Sequence, residues 1–437
     1  MAVLSAAALA AGVITGCGGA SDHTGGESSK AVAGSVTLDF FQMKNEAKSV
    51  YDEIIAKFEA ENPGVKINQI SPADSETVFL TNISTGDIPD IMSVYPAEAT
   101  YKSIMDEGIM ADMTGEKVLE NAEATAVKMC EHNGKVYTMP FALSSFGIFC
   151  NKDMFEEQNL ELPETWDDLI KACQTFEAAG ITAIACNDKD SVALGQEAER
   201  IIGIIKNDVY NDFETVGTSD ASFTDANHPY VRTMAEAMLE LRKYGPKDSL
   251  AIGREQATSD FVNNKYPMFI SGTWGLAAIL KAAPEMNLSM VPIPNPAGEA
   301  QSLPINVDIA LGYSATTEHP EEALKFIEFC ARPEINQLLA DNEGTPTVIK
   351  GVEYHIEPLA LMKEKMAGDK TFLTLVNYWP AGMRNEWAIP MQQLLIDQNV
   401  DHFLEETDRI VKHIKNPRVY LNMNFQIYLR ADVEYAL

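Results

Sequence analysis

The chain has 437 residues, 46% of them hydrophobic, and carries 64 acidic against 33 basic side chains for a formal charge of -31. That length exceeds what one small core can organise and predicts two or three domains in an ordinary globular body. The negative excess argues against nucleic acid or an anionic lipid surface as the main partner, since both would repel it, and is otherwise that of a well-solvated surface.

The first segment, AVLSAAALAAGVI, is an apolar run of thirteen residues, short of the ~17–25 that a membrane-spanning helix needs. Its length suits the apolar core of a secretory signal, which is removed from the mature protein. The tetrad Ile14-Thr15-Gly16-Cys17 resembles the lipobox of bacterial lipoproteins, which implies a cut before Cys17 and a diacylglycerol on its sulfur. No Lys or Arg precedes the run, so its true start is expected upstream; the competing reading is a buried N-terminal helix with an incidental cysteine. Residues 18–34, rich in Gly, Ser and Ala, read as a flexible tether. The expected division is a signal peptide over 1–16 and a lipid-anchored tether over 17–34.

After the tether, Val36, Leu38 and Phe40 alternate as in a strand. Val50, Ile54, Ile55 and Phe58 then recur at helical spacing, Asn62-Pro63-Gly64 stops that helix, and Val65 with Ile67 opens a second strand. Strand, helix and strand make a βαβ unit and predict an α/β domain with a parallel sheet. GDIPDIMSVY leads from a loop into a further short strand, and GKVYTMPFALSSFGIFCNKDMF reads as two extended runs separated by Ser144-Ser145. In LPETWDDLIKACQTFEAAGITAIAC, Thr165 is the N-cap with Asp168 as its capping partner, Leu169, Ala172, Cys173 and Phe176 form the apolar face, and Gly180 ends the helix before a strand over 181–185. Trp166, in the first turn, reads as packing. HPEEALKFIEFCARPEINQLLADNEGTP gives two helices broken at Pro333.

Beyond Cys17 the thiols are Cys130, Cys150, Cys173, Cys186 and Cys330, whose spacings match no metal knuckle or CxxC pair; they read as small buried apolar residues, five free thiols rather than a disulfide set. The seven histidines are scattered with no HxH or HExxH, so neither a metal nor another cofactor is expected.

Taken in order, FEAENPGVKI, the loop Gly86-Asp87-Ile88-Pro89-Asp90-Ile91, Gly134-Lys135-Val136-Tyr137 leading to Pro140, Ile148 to Phe155 (IFCNKDMF), Leu162 to Leu169 (LPETWDDL), Met268 to Trp274 (MFISGTW) and EEALKFIEFCARPE resemble the family 1 extracellular solute-binding proteins, the carbohydrate-binding lipoproteins of ABC importers in Gram-positive bacteria. Two places depart from the family's pattern: Cys150 stands where an aromatic is usual, and Lys265 to Met268 reads KYPM. The tail after Lys415 is not expected beyond this family's last helix. The resemblance implies a two-lobed, type II periplasmic-binding-protein-like α/β fold, each lobe a mainly parallel sheet flanked by helices, with the ligand between them. The lobes implied are 35–144 plus 309–370 and 145–308 plus 371–437, with crossings near Ser144-Ser145, 304–310 and 369–371. It implies hinge closure, a carbohydrate ligand, delivery to the importer's permease subunits, a membrane tie through Cys17, no nucleic-acid partner and a monomer.

A sugar offers hydroxyls in its ring plane and C–H groups on its face, so a cleft for it needs aromatic plates and polar side chains that leave nothing unpaired. Trp274 in SGTWG is the first candidate plate, against a core tryptophan capping its strand. NYWPAGMRNEWAIPMQQLL groups Tyr378, Trp379, Arg384 and Trp387, of which at least one is expected to meet ligand. Asp90, Glu46 and Asp308 stand near strand ends or crossings as hydroxyl partners; Asp90 reads equally as a turn cap, and Glu46 and Asp308 as solvated side chains. Phe146 beside the first crossing is either plate or hinge packing. Two other functions stay open: the same fold with a polyamine or phosphate ester, and a secreted glycoside hydrolase, which needs two carboxylates about 5 to 10 Å apart.

Overall fold

The alternation around Leu38 and the helix that follows it fold as their pattern demands. In the computed structural model, which describes residues 35–298, 301–379 and 383–414, β1 (Val36–Phe41) and β2 (Val65–Ile70) flank the helix Lys48–Glu61. They pair in parallel from Val36 opposite Val65 to Phe41 opposite Ile70. That helix buries Val50, Tyr51, Ile54, Ile55 and Phe58, and the Asn62 side-chain amide donates to the Phe58 carbonyl at 2.8 Å where the helix stops. Cys17, the tether and the tail after Lys415 lie outside the described residues.

The remaining strands are β3 (Ile91–Val94), β4 (Glu131–His132), β5 (Lys135–Val136), β6 (Met139–Asn151), β7 (Ile184–Ala185), β8 (Met268–Gly272), β9 (Leu288–Pro292), β10 (Leu303–Tyr313) and β11 (Thr371–Leu373). Among the described residues, nine strands share one hydrogen-bonded network in the order β2-β1-β3-β10-β6-β8-β7, with β11 on β10 and β9 on β6. Pairs at its ends are parallel, as in β1 with β3 and β7 with β8. The centre is antiparallel, because β10 runs against both β3 and β6. The fold is α/β as expected, with mixed rather than mainly parallel sheets.

Two long strands explain that centre. β6 is one strand of 13 residues where the sequence reads as two runs. The serines do not break it, because both pair with β10 and the Ser145 hydroxyl finds an acceptor there. Ser144 and Ser145 lie opposite Asn306 and Ile305, the Ser145 hydroxyl donates to the Pro304 carbonyl at 2.7 Å, and the Ser145 amide donates to the Thr273 hydroxyl at 3.3 Å. Up to and including the serines β6 pairs with β10; β8 joins it from Phe146 and β9 from Gly147. Gly147 is where this flanking is tightest: a Cβ there would stand 2.4 Å from the Val291 carbonyl oxygen.

Each end of β6 enters a different core. One contains Leu38, Phe40, Ile54, Phe58, Met139 and Phe326, with Phe58 and Phe326 edge to face at 5.1 Å. The other contains Ile148, Cys150, Leu169, Phe176, Ile201 and Met234. Thr165 and Asp168 form the capping box of the helix Trp166–Ala178, and Trp166 packs as expected, its indole N–H donating to Glu240 at 3.2 Å. The strand expected over 181–185 is shorter, confined to β7, with Gly180 at φ +79° ahead of it. Leu359, Met362 and Met366 pack with Phe149, Met290 and Leu303, so the helix Ala360–Met366 lies against the second lobe, where the resemblance places it in the first.

Cys130, Cys150, Cys173, Cys186 and Cys330 are all free and buried, and burial pushes the Cys130 and Cys173 thiols up to about 12. The native protein at pH 8 is therefore expected to leave these five thiols unmodified by a thiol-specific disulfide reagent, and to expose all of them in guanidinium without prior reduction; fewer thiols before reduction than after would reveal a disulfide.

Candidate functional site

Where β1 leaves the sheet, the chain turns through Gln42, Met43 and Lys44 before its first helix. The Lys44 side chain is buried and its ammonium lies 2.6 Å from Asp308, 2.8 Å from Glu343 and 4.0 Å from Glu46. Burial alone would lower this group, but the Asp308, Glu343 and Glu46 carboxylates raise it well above the ordinary lysine value. Asp308 sits on β10, where the pairing with β6 shifts between Val307 and Ile309. The ion cluster therefore ties the first lobe to a strand that crosses between lobes.

Lys44, Glu46 and Asp308 line a cavity of about 270 Å³ whose walls come from both lobes and from the crossing strands. Glu98 and Tyr95 belong to the first lobe, Ser144, Asn306 and Val307 to β6 and β10, and Gln196, Arg200, Trp274 and Arg384 to the second. Trp274 follows β8 in a single turn of 3-10 helix, Thr273–Gly275. Its ring folds back over Gly272, where a Cβ would meet ring carbons at 2.2 Å. Against it lie Phe146, with ring centroids 6.0 Å apart, and the Arg200 guanidinium, 5.7 Å from the indole. Arg200 is fixed by Glu199 at 2.5 Å, and Glu199 accepts from the Val376 amide at 3.1 Å. Burial disfavours both charges, lowering Arg200 and raising Glu199, and each opposes the shift of the other.

Every cation on this wall has a carboxylate beside it: Lys44 has Asp308, Arg254 has Asp190 at 3.4 Å, and Arg384 has Glu98 at 3.5 Å. The Arg384 pair joins the lobes, as does the Lys102 ammonium donating to the Asn377 carbonyl at 3.1 Å. The segment bearing Asp190, Gln196 and Arg200 is held from outside by Arg242, which bonds Asp188 at 2.8 Å and Glu197 at 2.7 Å.

Of the residues expected from sequence, the structure brings Trp274, Arg384, Glu46 and Asp308 to one cavity. Phe146 is 4% exposed and underlies Trp274 as packing. Asp90 turns away: its carboxylate accepts from the Asp39 amide at 2.8 Å and from the Thr317 hydroxyl, so it ties β1 to the segment after β10 rather than capping its own turn. Tyr378 stacks on Tyr210 at 4.2 Å outside the cavity lining. Trp387 is 1% exposed and donates to the Gly195 carbonyl at 3.1 Å; it is core, not a sugar plate, because a helix of the second lobe closes over it. Trp379 is buried beside it, with ring centroids 5.5 Å apart. Sequence reasoning missed Lys44, Glu98, Gln196, Arg200, Asn306 and Asn377. Gln196 and Arg200 carried a signal, lying one helical turn apart on the face of SVALGQEAER that Leu194 and Ala198 do not occupy.

A larger hollow of about 1000 Å³, lined by Glu177, Leu239, Tyr244, Pro246 and Leu250 among others, takes all its residues from the second lobe. No first-lobe or crossing-strand residue reaches it, so it cannot report lobe closure. No group of His, Cys, Asp and Glu able to hold a metal occurs among the described residues, and no helix among them is long and apolar enough to cross a membrane.

Residues 44–337 match the family described as bacterial extracellular solute-binding protein. A relative in Streptococcus mutans, named multiple sugar-binding protein, is 28% identical over 361 residues, 79% of this chain and 83% of its own. Among solved structures, SBP RafE in complex with raffinose superposes with a TM-score of 0.78 at 24% identity over 87% of this chain and 100% of that one. A sugar transporter from Bacillus licheniformis in complex with stachyose gives 0.72 at 21% identity over 87% and 100%. These two likenesses establish a shared fold.

Two substitutions separate site from scaffold. Trp274→Ala is expected to weaken ligand binding at least tenfold while leaving the melting temperature of the empty protein nearly unchanged; a large loss of stability with affinity retained would make Trp274 a core residue. Lys44→Met leaves Asp308 and Glu343 buried without their cation and is expected to cost about 3–5 kcal/mol of unfolding free energy in a denaturant titration.

Proposed function

The chain belongs to the bacterial extracellular solute-binding proteins, and from that membership and its cleft we propose that it captures a neutral carbohydrate, an oligosaccharide, between its lobes and delivers it to the permease of an ABC importer. The observation that carries the neutral ligand is the pairing of charges around the cavity. Among the described residues its lining has the cations Lys44, Arg200, Arg254 and Arg384 and the carboxylates Glu46, Glu98, Asp190 and Asp308. A polyamine needs carboxylates without cations, and a phosphate ester needs cations without carboxylates; here the two kinds are equal in number and neighbours in space. The surface charge of -31 thus does not extend into the cleft. Trp274 supplies an apolar face, and Ser144, Gln196, Asn306 and Asn377 supply polar groups of the kind that hydroxyls require. The sugar-binding name of the Streptococcus mutans relative and the raffinose and stachyose held by proteins of the same fold agree with this.

Ligand contact falls in this reading to Trp274, Arg384, Glu46 and Asp308 among the residues expected from sequence, with Arg200 and Glu98 added. The lobes swing about β6, β10 and the connection into β11, and the contacts of Arg384 with Glu98 and of Lys102 with Asn377 form as they meet. The protein works outside the cytoplasm as its family does; a lipid on Cys17 holds it at the outer face of the membrane, and it acts as a monomer that returns its sugar unchanged.

A thermal-shift panel tests the reading: raffinose, stachyose, melibiose, glucose, spermidine and glucose 6-phosphate. Ligand at a hundred times its dissociation constant is expected to add about 2.7 kcal/mol, a rise of several degrees, for at least one sugar and for neither charged compound. Recovery of that sugar intact after long incubation supports a binder; shortened products would make the protein a hydrolase, and a shift with spermidine or the phosphate alone would overturn the ligand.

A further inference from the structure

Behind the cleft, sharing Glu98, Gln196, Arg200 and Arg384 with it, lies a chamber of about 20 Å³ that ends on Trp379. Trp379 is 4% exposed and packed in the second core, yet among the described residues its indole N–H has no hydrogen-bond partner, and neither has the Nε–H of Arg384. A buried donor left in this state keeps the full cost of its desolvation. The neighbouring acceptors are already engaged. Trp387 takes the Gly195 carbonyl, while Glu199 accepts from Arg200 through one oxygen and from the Val376 amide through the other. Glu98 remains as the carboxylate on the opposite wall, 3.5 Å from Arg384 Nη1.

Two unpaired donors facing one hollow call for an oxygen. The volume admits a single one, since a water needs about 10–15 Å³ of such space, and excludes a sugar ring or a phosphate. A hydroxyl has two lone pairs and one proton, which matches two N–H donors and a carboxylate acceptor. An amine would meet the two donors with no lone pair to give once protonated. We propose that this chamber is an inner subsite for one hydroxyl of the carbohydrate in the cleft, which accepts from Trp379 Nε1 and Arg384 Nε and donates to Glu98. The proposal rests on the carbohydrate reading above, and it turns a tryptophan that packs as core into a determinant of which sugar isomers bind.

The test uses the panel sugar that gives the largest shift, together with its complete set of monodeoxy analogues, titrated calorimetrically into the wild type, Trp379→Phe and Arg384→Lys. Trp379→Phe keeps a ring in the core and removes only the indole N–H. Both variants are expected to bind the parent sugar about tenfold more weakly, the scale of one buried hydrogen bond. One monodeoxy analogue is expected to bind the wild type about tenfold more weakly and to lose nothing further in Trp379→Phe. Undiminished binding by both variants overturns the subsite. So does an equal loss for the parent sugar and every analogue, which would assign the oxygen to a resident water. If Trp379→Phe does not fold, Arg384→Lys carries the same comparison. Silence of the wild type towards every sugar overturns the carbohydrate reading and this inference with it, whereas the first two outcomes overturn the chamber alone.

Discussion

The antiparallel pairing of β6 with β10 is the constraint on which the rest of the molecule depends. It runs from Met139 opposite Leu311 to Ser145 opposite Ile305, and β6 then continues into the second core without leaving the sheet. Because both strands are hydrogen-bonded along the crossing, the lobes are joined by structured backbone rather than by a loose linker. Ser144, Asn306, Val307 and Asp308 therefore stand on a fixed floor, and the two walls of the cleft rise from it.

Buried charge is concentrated at that floor. Lys44 with Asp308 and Glu343, and Arg200 with Glu199, are sites where the cost of desolvation is offset by close partners rather than avoided. Such pairs contribute little net stability but fix position, because a buried ion that loses its partner is strongly disfavoured. Arg242, held by Asp188 and Glu197 on the outer side of the same helix, acts in the same sense. The consequence is a cleft whose polar groups are held in place before any ligand arrives, the condition under which hydrogen bonds to hydroxyls discriminate between isomers.

The aromatic residues divide between two uses that the sequence does not distinguish. Trp274 rests on the bare backbone of Gly272 against Phe146 and Arg200, and lines the cleft together with Arg200. Trp387, equally prominent in the sequence beside Pro and Gly, fills the second core. Their difference comes from the helix Met383–Asp397, which carries Trp387 and packs it against the helix bearing Gly195, and nothing in the local spacing of NYWPAGMRNEW announces that packing.

The sequence by itself determined the α/β class, the first βαβ unit, the capping box at Thr165 and the helix break at Pro333, because each follows from periodicity or capping within a few residues. Seven ordered motifs likewise carried the family. Tertiary structure decided what depends on contacts between distant segments: that Ser144-Ser145 lies within one strand, which needs β10 alongside to pair its backbone and to accept from the Ser145 hydroxyl; that Leu359 to Met366 joins the second lobe; and that Asp90 ties β1 to the segment after β10 while Asp308 binds Lys44 across 264 positions of chain. A lone carboxylate in a loop has the same local signature in either role. Its function is set by which cation or amide the fold brings to it, and that is a property of packing rather than of neighbouring residues.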